Sequence, residues 1–60
     1  MKARVFEVRE RDDSGKERTH GLRRSKRSAE TMAQQIRNLN FLHGRSSTVY
    51  IVDVEVETNE

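Results

Sequence analysis

The chain has 60 residues, 32% apolar and 37% charged, with no Cys, Pro or Trp, and it carries a formal net charge of +2. That describes one small domain, residues 1–60, near the lower size limit for independent folding. Disulfide scaffolds and thiolate-zinc sites are excluded, and an autonomous enzyme is not expected of a chain too short to build both a core and a rigid cleft.

Residues 2–11 (KARVFEVRER) mix β-branched and aromatic residues with charges, and Phe6 and Val8 alternate with Glu7 and Arg9, so a strand is expected. Asp12, Asp13, Ser14 and Gly15 supply the side-chain hydrogen bonds and the positive φ of a tight reversal. Residues 16–22 then return as a second strand, weakened by Gly21.

From Ser25 to Leu42 the period lengthens, with Ala29, Met32, Ala33, Ile36 and Leu39 forming one helical stripe. Gln34, Gln35, Arg37, Asn38 and Asn40 fall opposite, Ser25 serves as N-cap, and Gly44 suits the left-handed position that closes a helix near His43. Residues 48–57 read as the clearest strand. Tyr50, Val52, Val54 and Val56 are expected to face the helix, and Val49, Ile51, Asp53, Glu55 and Glu57 the other way. Residues 58–60 are expected to fray.

The order ββαβ, with a right-handed crossover, predicts an α+β fold in which one helix packs on a three-stranded antiparallel sheet of order 2-1-3. Phe6, Val8, Leu22, the helix stripe and the face of Tyr50, Val52, Val54 and Val56 would form the core, closed at one end by Phe41 or Leu42. A long third strand at the sheet edge, with Val49 and Ile51 away from the helix, predicts a homodimer in which these edges, or the uncovered sheet faces, meet about a two-fold axis. The longest apolar run, Val49 to Val52, is far too short for a membrane helix, and the N-terminus lacks a signal-peptide pattern, so a soluble cytoplasmic protein is expected.

Charge is unevenly spread. Residues 1–30 hold ten Lys/Arg against six Asp/Glu, and residues 31–60 two against four. The basic excess centres on Lys16, Arg18, Arg23, Arg24, Ser25, Lys26 and Arg27. Cations at a helix start oppose the helix dipole, and a bound phosphate held by backbone N–H groups, Ser25 or Ser28 and the arginines would offset that cost. These seven residues are therefore the candidate nucleic-acid contacts, duplex DNA being the favoured partner. Solvated side chains, with Glu30 partly neutralising Lys26 or Arg27, are the plainer alternative.

His20 reads as an exposed sheet residue and His43 as a favourable partner for the helix C-terminus, and neither has the neighbours of a catalytic or metal site. Asp53, Glu55 and Glu57 alternate as a solubilising row. Three aromatics, Phe6, Phe41 and Tyr50, are too few for a base-stacking platform. No catalytic residue, metal ligand or cofactor is assigned.

The run from Val5 through the Asp-Ser-Gly turn to Thr19-His20-Gly21-Leu22-Arg23-Arg24-Ser25-Lys26-Arg27-Ser28-Ala29-Glu30 resembles the hairpin-then-helix of the arm-type DNA-binding module of tyrosine integrases. It is also similar to small ββαβ orphan proteins of bacteria and their phages. The first resemblance covers about two-thirds of the chain and implies DNA contacts at Arg18, Arg23 and Arg24. The chain departs from the module in having a strand after the helix, where that family builds its three-stranded sheet before it. A non-enzymatic binding module, of the kind phages use as accessory or regulatory proteins, is the resulting expectation. A homo-oligomeric module that inhibits or adapts a host protein is the alternative.

Overall fold

A computed structural model describes residues 1–58. The elements are β1 (Lys2–Arg11), β2 (Glu17–Arg23), α1 (Lys26–Leu42) and β3 (Thr48–Glu57). The sheet has the order β2-β1-β3, antiparallel throughout, with α1 on one face, so the expected ββαβ architecture is present.

Local chemistry fixes the connections. In the hairpin turn, Gly15 takes φ 87°, and the Asp12 carboxylate accepts from the backbone N–H groups of Ser14 at 2.9 Å and Lys16 at 3.0 Å and from the Ser14 hydroxyl at 2.6 Å. The Ser14 bond leads in holding the Asp12 carboxyl below its ordinary range. The helix ends in a left-handed Gly44 with φ 68°, where the Gly44 N–H reaches the Phe41 carbonyl at 3.2 Å and the Arg45 N–H the Asn40 carbonyl at 2.8 Å. That pair of bonds satisfies carbonyls the last turn would otherwise leave unpaired.

The core is small and differs from the expected one. Val8, Ala29 and Ala33 are fully buried and Val49 nearly so, with Phe6, Met32, Ile36 and Ile51 packed against them. Directly opposed residues in β1 and β3 share a face, and the pairs are Val8 with Ile51 and Glu10 with Val49. Val49 and Ile51 therefore lie under α1. Tyr50, Val52, Val54 and Val56 lie on the open face, the reverse of the sequence expectation.

Charge matching accompanies the reversal, although exposed pairs of this kind contribute only about 0–1 kcal/mol each. Lys2 and Arg4 share a face with Phe6 and Val8, while Asp53, Glu55 and Glu57 share one with Val49 and Ile51. The observed register brings these charged rows together, with Lys2 Nζ 3.4 Å from Glu55, Arg4 3.4 Å from Asp53 and the N-terminal ammonium 3.9 Å from Glu57. A one-residue slip would put cations against valines.

Other expected core residues are also exposed. Leu22 and Leu39 are each 55% exposed, and Phe41 and Leu42 more so. Asn40, expected on the outer side of the helix, is buried in place of Leu39. Thr58, expected to fray, donates from its N–H to the Met1 carbonyl at 2.8 Å; Asn59 and Glu60 lie outside the described residues. Gly21 does not interrupt β2. It stands where a Cβ would come 3.0 Å from the Met32 methyl, so the bare backbone lets the helix approach.

Candidate nucleic-acid interface

The end of β2 and the start of α1 bring Arg23, Arg24, Ser25, Lys26 and Arg27 together at one helix N-terminus. Ser25 is the N-cap as expected, extended at φ −121° and ψ 147°, and its hydroxyl accepts from the Ser28 N–H at 3.1 Å. That leaves the first-turn N–H groups of Lys26 and Arg27 pointing outward from the helix start. No acidic residue occupies the first turn.

Seven of the twelve Lys and Arg residues have no carboxylate within 4.0 Å among the described residues; four of these lie in this segment, and Lys16, Arg37 and Arg45 are scattered elsewhere. Lys2, Arg4, Arg9, Arg11 and Arg18 each have a carboxylate within 4.0 Å. Among the described residues, Arg23, Arg24, Lys26 and Arg27 form no such pair, and Glu30 neutralises neither Lys26 nor Arg27. Arg23 instead donates to the Leu22 carbonyl at 2.9 Å.

Lys16 and Arg18 lie elsewhere. They sit at the hairpin-turn end of β2, Lys16 just before it and Arg18 within it, Arg18 about 16 Å along the strand from Arg23 at the usual rise per residue. There they line a polar cleft of about 630 Å³ with Asp12, Asp13, Glu17 and the loop of residues 44–47. Arg18 is engaged, with Nη2 3.2 Å from Glu10. The seven candidate residues thus form one compact cationic cluster and a separate pair in mixed-charge surroundings.

The polar centre that sequence reasoning missed is Glu10, whose carboxylate is 3% exposed beneath the helix. One oxygen lies 2.6 Å from His20 Nε2 and 3.2 Å from Arg18, and the other accepts from the Asn40 amide at 2.9 Å. Burial raises the Glu10 pKa, but hydrogen bonds from His20, Ser47, Asn40 and Arg18 outweigh it and hold the carboxyl down at about 2. His20 is therefore not the exposed sheet residue expected. A register shift opposite Val8 and Arg9 inserts it as an extra residue in β2, which turns its ring toward Glu10. The signals were a lone Glu in phase with Phe6 and Val8 and an Asn in phase with Ala33 and Ile36.

The acidic row of β3 is spent on ion pairs with β1 and the N-terminus, and no cluster of metal-ligating residues occurs among the described residues. No described helix is long and apolar enough to cross a membrane. Compared with family models, curated proteins and solved structures, the chain matches none.

Proposed function

We propose that this chain is a non-enzymatic module that binds the phosphates of duplex DNA, in the cytoplasm, through Arg23, Arg24, Ser25, Lys26 and Arg27. The observation that carries the reading is the concentration of carboxylate-free cations at a helix start with no acid in its first turn. A phosphate there would accept from backbone N–H groups while pairing with the guanidinium groups, and it would relieve the repulsion between like charges and the helix dipole. Lys16 and Arg18 stand apart from this surface, in a cleft where Glu10, Asp12, Asp13 and Glu17 offset their charge and Arg18 is paired with Glu10. The resemblance to the integrase arm-type module, and to small ββαβ proteins of phages, supports the same class of partner and an accessory or regulatory role.

Fluorescence anisotropy with an arbitrary duplex tests this. Binding is expected at low salt, to fall steeply as salt rises, and to depend little on sequence. Replacing Arg23 and Arg24 together by Ala should weaken binding to every duplex and reduce the salt slope by up to about two units, with the circular dichroism spectrum unchanged. Absence of binding at low salt rejects the reading and leaves a protein partner in its place.

A further inference from the structure

We propose that the sheet face opposite α1 is a dimerisation surface, occupied by the same face of a second copy of this chain. The face carries Ala3, Val5, Val52, Val54 and Val56, with Leu22 beside them. Leu22 is 55% exposed, and the other five are only half-buried, shielded by neighbours in the sheet and by no element packed over them.

The pattern is the reverse of what water on this side would select. Beyond the reach of α1, at the end of the β1–β3 ribbon, the helix-side face is a network of exposed charges: Lys2, Arg4, Asp53 and Glu55 have side chains 66%, 70%, 48% and 54% exposed. The face behind them is uniformly aliphatic. An antiparallel ribbon with one wet face places its apolar residues on the covered side, so the aliphatic side is the covered one.

Three features make a second copy the occupant. The charges on this face cancel within each copy: Arg9 lies 2.9 Å from Glu7 and Arg11 3.6 Å from Glu17, so two identical faces meet without net repulsion. The described residues extend 44 × 22 × 12 Å, a thin plate whose broad side has room for the roughly 800 Å² per partner of a standard stable interface. Among the described residues four apolar side chains are buried in the core of one copy, and so small a core gains most from burial shared with a partner. Pairing through the β3 edge is disfavoured, because Asp53, Glu55 and Glu57 of both copies would then interleave on one face. Face-to-face packing gives a sandwich of two aligned sheets about 10 Å apart, with a helix on each outer side. Both Arg23–Arg27 clusters stay exposed, and the inference stands independently of whether they bind DNA.

Analytical ultracentrifugation of the intact chain, with Val54→Glu and Val52→Glu variants, tests the proposal. The expected result is a wild-type species of twice the 7.0 kDa chain mass at high micromolar concentration, persisting in high salt, and a dissociation constant raised at least about a hundredfold in either variant. A wild type that stays at 7.0 kDa, or folded variants that dimerise as tightly as wild type, overturns it. Should a variant unfold, isotope-filtered NMR on mixed labelled and unlabelled wild type decides. Intermolecular contacts among the Val5, Val52, Val54 and Val56 methyls support the face, and a dimer lacking them refutes it.

Discussion

Glu10 shows how one polar residue can organise a core of four apolar ones. Its carboxylate ties β1 to β2 through Arg18 and His20, and to the last turns of α1 through Asn40. Because its folded pKa of about 2 lies below the ordinary value of 4.5, ionisation favours the folded state. That contribution is complete above pH 4.5 and is lost as the pH falls from there to about 2, amounting to roughly 3 kcal/mol. Glu10→Gln should lower stability at pH 7 by about 1–3 kcal/mol, by weakening charge-assisted bonds in a buried site. It should also flatten the acid limb of the stability profile. Chemical denaturation between pH 2 and 7 measures both, and equal acid sensitivity in wild type and variant would remove Glu10 from this role.

Among the elements, α1 reads most directly. Its cap, its Gly44 stop and most of its apolar stripe follow from spacing, because a single helix on a sheet buries one stripe whatever lies beneath it. Packing decides the rest. Ala29 and Ala33 are fully buried against the sheet, and Gly21 leaves no Cβ in the way of Met32, so the helix rides close. Ala33→Leu should therefore destabilise by about 1–3 kcal/mol through overpacking, more than the small difference in helix propensity between alanine and leucine would cost. Thermal melting reads that loss, and an unchanged midpoint would mean that the helix has room to lift. In β3 both alternating rows are apolar near its start, so periodicity could not assign a face. The missing information was the β1–β3 register, which sets Val49 and Ile51 on the face of Val8 and Glu10 and the acids opposite Lys2 and Arg4, and it is visible only once β3 is set beside β1.

At the scale of the whole molecule, a thin sheet with one helix keeps its two surfaces apart. Four carboxylate-free cations gather at the helix start, and the aliphatic residues gather on the far side of the sheet. A dimer through that far side makes stability depend on mass action, so the melting temperature should rise with protein concentration in the wild type and become independent of it in Val54→Glu. Differential scanning calorimetry over a hundredfold concentration range checks this. A wild-type midpoint that does not move would contradict association coupled to folding.

Element order, turn chemistry, both helix ends and the antiparallel 2-1-3 sheet are written in the sequence, because each rests on local periodicity, on capping residues or on the handedness of a crossover. The cluster from Arg23 to Arg27 was legible for the same reason: its residues are neighbours in the chain. What only the tertiary structure decided were relations between distant segments. These include the face of β3 that meets the helix, the bulge that turns His20 toward Glu10, the 30-residue reach from Asn40 to that carboxylate, and the separation of Lys16 and Arg18 from the other cations. A strand has two faces and a one-residue slip exchanges them, so only pairing with a neighbour determines which side chains are buried and which remain available to a partner.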